Sequence, residues 1–155
     1  MFDFESVYRP ADGIRRFLTG TQSVLALSAV RSGLSVFENA PISLLRQRSL
    51  NLTGDFIRQL DARSLSVSID LLTPRSDAKR GSQVSIALDN AFSISQALID
   101  AGVIVDFRAP NIIRFGFSPL YNTENDTTKA LEALETIIDT RRFEAPEYQV
   151  RATVT

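Results

Sequence analysis

The segment GVIVDFRAPNIIRFGFSPLYN, residues 102–122, contains two short apolar runs that are typical of β-strands. The runs VIVDF and IIRFGF are joined by the tight connection RAPN, which favours an antiparallel pair. Gly102 stands where a helix predicted over about 90–101 would end, because glycine readily adopts the left-handed conformation found just after a helix. The segment therefore predicts a helix followed by two paired strands.

The sequence on either side adds further elements of both kinds. Apolar residues at helical spacing predict helices over about 22–38, 41–62 and 124–140. Alternating residues predict strands over 65–72 and 83–88. The resulting order, α-α-β-β-α-β-β-α, predicts an α+β fold. We expect a two-layer small domain with helices on one face of a mostly antiparallel sheet.

Length and composition indicate one ordinary globular domain. The 155 residues can bury a core, and we expect an irregular entry segment over 1–20, a single domain over 21–140 and a tail over 141–155. The net charge of −1 and the scattered basic residues argue against a nucleic-acid partner. No apolar run approaches the roughly 20 residues that cross a bilayer, so no membrane partner is expected. Because cysteine is absent, a cytoplasmic location is the default expectation.

The residue types that the sequence lacks restrict its chemistry. Without histidine or cysteine it has no His-based triad, no thiolate and no His-rich zinc site, so we expect no metal. Acid–base work would fall to carboxylates, tyrosines or the two lysines, Lys79 and Lys129.

Arg114 is the first candidate for ligand binding. On the alternation of IIRFGF it shares a face with Ile112 and Gly116, and the missing side chain of Gly116 leaves room beside it. A guanidinium next to a gap can hold a carboxylate through two parallel hydrogen bonds. The alternative is an internal ion pair with an acid on a neighbouring strand, such as Asp106 or Asp70, since buried charges are usually paired.

Two weaker motifs are basic or rich in free N–H groups. Gly20 and Thr21 precede the first predicted helix, whose N-terminus favours an anion such as phosphate. The alternative is that Thr21 simply caps that helix. Lys79 and Arg80 lie in a basic turn, which is either a solvated hairpin or the rim of an active site.

Three stretches of the chain resemble kynureninase, the pyridoxal-phosphate (PLP) hydrolase of tryptophan catabolism. They are YRPADGIRRFLTGTQSVLALSAVRSGLSVF, LLTPRSDAKRGSQVSI and GVIVDFRAPNIIRFGFSPLYN, in the family's order and approximate spacing. The resemblance covers about residues 2–140 but only the last third or so of a kynureninase. It implies the end of a large cofactor domain followed by the small C-terminal domain of a fold-type I PLP enzyme, the aspartate-aminotransferase type, which assembles as a dimer.

The resemblance implies binding roles for three residues. Arg114 stands where the family's arginine holds the substrate α-carboxylate. Thr21 stands where a family residue reaches the PLP phosphate of the partner subunit, and Gly20 lies at a position that tunes preference for the substrate ring. Gln22 departs from the GTP that family members often have here.

No residue of this chain is predicted to be catalytic. In the family, the lysine that binds PLP lies upstream of the part that this chain resembles, and Lys79 and Lys129 stand elsewhere. We therefore expect that the chain alone binds no PLP.

The resemblance implies hydrolysis of L-kynurenine to anthranilate and L-alanine. We expect the chain to be the C-terminal domain of a kynureninase-like hydrolase, truncated and inactive alone or half of a split enzyme. Its expected partners are a second copy of itself or a separate large-domain chain, and a small amino-acid substrate. The alternative is a non-catalytic module that dimerises or binds a small carboxylate through Arg114.

Overall fold

The computed structural model describes residues 7–18 and 20–150. Contacts divide the chain into two compact units, Met1–Pro41 and Ile42–Thr155. The domain bounds expected from the sequence, with one domain over 21–140, differ from this division and stay a prediction.

The described part of the first unit, residues 7–18 and 20–41, contains two short helical segments. Gly13–Phe17 forms a 3-10 helix, and helix α1 spans Val24–Ser35. Ser23 caps α1, because its Oγ accepts a hydrogen bond from the backbone N–H of Ala26 at 3.3 Å. The cap predicted at Thr21 is therefore wrong, since α1 begins later than its apolar pattern suggested. No residue of either helix is buried.

The second unit, as far as it is described (residues 42–150), contains three α-helices and four strands. The helices are α2 (Ile42–Asp61), α3 (Ala91–Asp100) and α4 (Glu124–Asp139). The strands are β1 (Asp70–Leu71), β2 (Gln83–Ala87), β3 (Asp106–Arg108) and β4 (Ile112–Gly116). They form one antiparallel sheet in the order β1-β2-β4-β3. The predicted α+β architecture and the order of its elements are confirmed.

The sheet has a covered face and an open face. The covered face carries buried side chains of the two central strands, namely Val84, Ile86, Ile113 and Phe115. These side chains form one hydrophobic core with apolar residues of α2, α3 and α4. The open face is defined here as the face that carries Arg114 and Gly116, which are not buried. Burial on one face and exposure on the other explain the alternation in β4.

Two predicted strands are shorter than the sequence pattern indicated. Of 65–72, only Asp70–Leu71 belongs to β1, and β3 begins at Asp106 and not at Val103. Leu72 adds one backbone hydrogen bond, from its N–H to the carbonyl oxygen of Ser85 in β2 at 3.0 Å. Several apolar side chains of the unpaired stretches still pack against the core, namely Leu65, Val67, Ile69 and Val103, whereas Ile104 is exposed. Alternating hydrophobicity therefore reports which side chains are buried, whereas backbone pairing requires a neighbouring strand within hydrogen-bonding distance.

The chain after α4 continues the core. Arg142–Glu144 and Pro146–Tyr148 form two 3-10 helices, and Phe143 and Tyr148 are buried within the hydrophobic core. Across residues 7–18 and 20–150, no helix combines the length and apolar character needed to cross a bilayer.

Candidate functional site

The register of the sheet places Arg114 between two polar neighbours. It lies opposite Asp106 of β3 and opposite Ser85 of β2, so the three side chains share the open face. The Arg114 Nε donates a hydrogen bond to Asp106 Oδ2 at 2.6 Å, and Nη2 donates to the same oxygen. The internal ion pair that the sequence left as an alternative is therefore present. Its side chains are 32% and 45% exposed, so the pair is not a buried one.

A second guanidinium contacts the same carboxylate. The Arg108 Nε donates to Asp106 Oδ2 at 3.0 Å. Two arginines around one aspartate leave the cluster of Asp106, Arg108 and Arg114 with one net positive charge. The cluster can therefore still attract one monovalent anion.

The arginines determine the protonation of Asp106. The Arg114 hydrogen bonds, together with the Arg108 contact, hold the pKa of Asp106 below its usual value of 3.8. Desolvation by partial burial opposes this shift but does not reverse it. A carboxyl whose pKa is lowered by folding stabilises the folded state above its unfolded pKa. That stabilisation is lost only as the pH falls through the lowered value. At neutral pH the Asp106 carboxyl is thus ionised.

Arg114 retains hydrogen-bonding capacity beyond this pair. Asp106 uses the edge of the guanidinium formed by Nε and Nη2, and no residue among 7–18 and 20–150 accepts a hydrogen bond from Nη1. A Cβ placed on Gly116 would meet no atom within 4 Å, so the expected gap beside Arg114 is present. The edge formed by Nη1 and Nη2 can therefore receive a carboxylate while Asp106 stays bound.

Gly20 and Thr21 lie in the first unit, immediately before α1. Both residues are exposed, and a Cβ on Gly20 would meet no atom within 4 Å. The Thr21 hydroxyl bonds to no other residue of the described chain, so it could donate to a phosphate oxygen. The phosphate-binding role of Thr21 and the substrate role of Gly20 stay predictions.

Arg80 is buried, so the solvated hairpin considered for it is wrong. Its side chain is only 3% exposed. Nε donates to Thr53 Oγ1 at 2.9 Å, Nη1 donates to the carbonyl oxygen of Arg75 at 2.6 Å, and Nη2 bonds to Asp77. Arg46 in turn donates to the carbonyl oxygen of Arg80 at 2.7 Å. These acceptors replace the water that the buried guanidinium loses. Because they lie both in the loop over 73–82 and on α2, Arg80 holds the loop against α2.

The chain resembles solved protein structures in fold. It superposes on a NifS-like protein with a TM-score of 0.64 and 20% identity, covering 85% of this chain and 38% of that one. It also superposes on acetylornithine aminotransferase from Elizabethkingia anophelis with a TM-score of 0.54 and 19% identity, covering 81% of this chain and 32% of that one. The fold is that of the C-terminal domain of fold-type I PLP enzymes.

Sequence comparison identifies one family within the fold-type I PLP enzymes. A family model described as the kynureninase C-terminal domain matches residues 45–134, which include Arg80 and Arg114. The chain is 43% identical to a kynureninase from Pseudomonas fluorescens over 154 residues, and 42% identical to one from Burkholderia mallei. Each alignment covers 99% of this chain, which spans about 37% of the length of these curated relatives. The chain belongs to the kynureninase C-terminal domain family.

Proposed function

We propose that this chain supplies the substrate-carboxylate site of a kynureninase-type hydrolase and that the PLP-binding lysine lies outside these 155 residues. One observation carries the proposal: Arg114 keeps an unused guanidinium edge beside the gap at Gly116. The 43% identity to a kynureninase supports an amino-acid carboxylate as the ligand of that edge.

The proposed reaction is the hydrolysis of L-kynurenine to anthranilate and L-alanine. PLP, when bound, supplies the electron sink for this chemistry. Arg114 holds the substrate α-carboxylate through Nη1 and Nη2, which restricts the orientation of the reacting carbon. Thr21 would donate a hydrogen bond from its hydroxyl to the PLP phosphate across a subunit interface. Gly20 leaves space that affects which substituted ring is accepted.

The two lysines of the chain support a separate source for the catalytic lysine. Lys79 lies in the exposed 3-10 helix Asp77–Lys79, and Lys129 is exposed on α4. A lysine that forms covalent bonds with carbonyl compounds is normally activated by desolvation or by a neighbouring cation. Their exposure therefore argues against Lys79 or Lys129 as the PLP-binding lysine.

The proposal is tested by supplying the missing part. A chimera would join the N-terminal part of the Pseudomonas fluorescens relative to this chain, in place of the 37% that aligns with it. We expect the chimera to release anthranilate from L-kynurenine, and the N-terminal part alone to release none. A folded chimera that binds PLP but releases no anthranilate would favour the alternative, a non-catalytic module that binds a small carboxylate or dimerises.

The partners of the chain are proposed from the exposed apolar residues of α1. Its exposed residues include Val24, Leu25, Val30 and Leu34. Such a surface is typical of an interaction site. We propose that it contacts a second copy of this chain or a large-domain chain. A cytoplasmic location, without nucleic-acid or membrane partners, remains our expectation.

Self-association should depend on α1. We expect the isolated chain to show a concentration-dependent mass in sedimentation equilibrium, and the double variant Leu25→Lys, Leu34→Lys to shift it towards monomer. The matched control is Ile104→Lys, because Ile104 is 86% exposed, Leu25 is 84% exposed, and Ile104 lies outside α1. An equal shift in the control, or a wild-type chain that is monomeric at every concentration, would contradict the role of α1.

Filling the gap at Gly116 should weaken substrate binding without unfolding the chain. The added atoms of Gly116→Val would project beside Arg114, so we expect the chimera's KM for L-kynurenine to rise about tenfold, or about 1.4 kcal/mol. The melting temperature should change little, because a Cβ at this position meets open space. Gly81→Val is the control, since a Cβ there is equally unobstructed. An unchanged KM for Gly116→Val would place the substrate elsewhere.

A further inference from the structure

Asp106 contacts Arg114 in an asymmetric way. A single oxygen, Oδ2, accepts hydrogen bonds from Nε and Nη2 of Arg114 and from Nε of Arg108. Within residues 7–18 and 20–150, nothing donates to the other oxygen, Oδ1. The carboxylate therefore does not bind Arg114 in the usual arrangement of two parallel hydrogen bonds between two oxygens and two nitrogens.

This arrangement separates the two edges of the guanidinium. A guanidinium offers one pair of N–H groups along Nε and Nη2 and a second pair along Nη1 and Nη2. Asp106 occupies the first pair. Because Asp106 and Arg114 are paired residues on adjacent strands, the backbone fixes where the contact forms. The contact with Asp106 thus forms between residues whose backbone positions the sheet fixes, and the second pair is left for another acceptor.

The charge of the cluster agrees with such an acceptor. Asp106 alone would neutralise Arg114 and remove its attraction for an anion. Arg108 contacts the same oxygen and restores one net positive charge. That surplus charge equals the charge of one carboxylate.

We propose that Asp106 is a positioning residue for Arg114. Asp106 holds the Nε edge, so that the Nη1 edge stays oriented for a ligand carboxylate, which binds in addition to Asp106 and does not displace it. The inference rests on the proposed function, because that function supplies the carboxylate. Side-chain ordering before binding reduces the entropy lost on binding, so removal of Asp106 weakens the ligand.

The opposite possibility gives the opposite result. If Asp106 competed with the ligand for Arg114, its removal would free the guanidinium and tighten carboxylate binding. The two roles therefore differ in the sign of one measured change, and they also differ in whether the Nε signal of Arg114 responds to the ligand.

The experiment uses the 155-residue chain labelled with ¹⁵N and sodium acetate as the probe, followed through the arginine Nε and Nη resonances. In the wild-type chain we expect acetate to shift the Nη resonances of Arg114 while Nε stays bonded to Asp106. Asp106→Ala should weaken acetate about five- to tenfold, and Asp106→Asn, which keeps one acceptor oxygen, should weaken it less. The backbone spectrum of each variant verifies that it folds.

The control is Asp61→Asn, because Asp61 forms a comparable exposed pair with Arg75 away from the site. It should leave acetate binding unchanged. Unchanged or tighter binding in Asp106→Ala overturns the inference, as does displacement of the Nε signal in the wild-type chain. The inference is also overturned if acetate shifts none of the Arg114 resonances.

The proposed function can fail separately from this inference. A second titration compares L-kynurenine with its carboxamide, which lacks the carboxylate. If acetate behaves as expected but the two compounds bind equally and the chimera is inactive, the proposed function fails while the role of Asp106 stands. If the chimera is active and requires Arg114 but Asp106→Ala does not weaken acetate, only the positioning role fails.

Discussion

Arg114→Gln should lower kcat/KM for L-kynurenine in the chimera by about 10²- to 10³-fold, because two charge-assisted hydrogen bonds to the substrate carboxylate are lost. Glutamine keeps a polar side chain but offers neither the charge nor the paired N–H groups. The loss should appear in both kcat and KM, since the arginine both binds the substrate and orients it. The measurement is steady-state anthranilate release by fluorescence.

The stability of the same variant should change far less than its activity. The Arg114–Asp106 pair is about one-third to one-half exposed, so removing it should cost at most about 1 kcal/mol of unfolding free energy. Arg75→Gln is the matched control, because Arg75 donates two hydrogen bonds to Asp61 in an exposed pair. It should keep full activity. Full activity in Arg114→Gln would mean that this arginine does not hold the substrate.

The largest expected effect on stability is that of Arg80→Ala. The substitution should reduce the unfolding free energy by about 3 kcal/mol, because it empties a buried site and leaves acceptors without donors. The acceptors are Thr53 Oγ1 and the carbonyl oxygen of Arg75. Urea unfolding followed by circular dichroism measures the change.

Two further variants make the Arg80 result specific. Arg80→Lys keeps the charge but cannot reach all of the acceptors at once, so it should lie between alanine and wild type. Arg75→Ala removes a 61% exposed arginine from the same loop and should cost less than about 1 kcal/mol. If Arg80→Ala costs no more than Arg75→Ala, the loop over 73–82 does not depend on the buried guanidinium.

Local signals in the sequence predicted the β3–β4 hairpin well. Gly102 ends α3 with a φ of +85°, and the Val103 N–H donates to the Leu98 carbonyl oxygen at 2.8 Å. The short connection then fixes the register that places Asp106 opposite Arg114. The internal ion pair is present, and the ligand role of Arg114 stays a prediction. The pair uses only one edge of the guanidinium, which no pattern of residue types reveals.

The burial of Arg80 could not be predicted from its neighbours. A turn rich in basic residues predicts a solvated arginine. Thr53, which accepts the hydrogen bond from Arg80 Nε, lies 27 residues earlier on α2. Thr53 is fully buried on α2. Contacts between distant segments decide such cases, and the sequence periodicity of either segment contains no information about them.

The central claim is that this chain binds the substrate but does not contain the catalytic lysine. An assay of the chain alone tests that claim most directly. The 155-residue protein is incubated with PLP and L-kynurenine, and anthranilate is followed by fluorescence. We predict no anthranilate above the rate without protein, although the chimera under the same conditions releases it. Anthranilate released by the isolated chain, and lost in Lys79→Ala or Lys129→Ala, would contradict the claim that the catalytic lysine lies elsewhere.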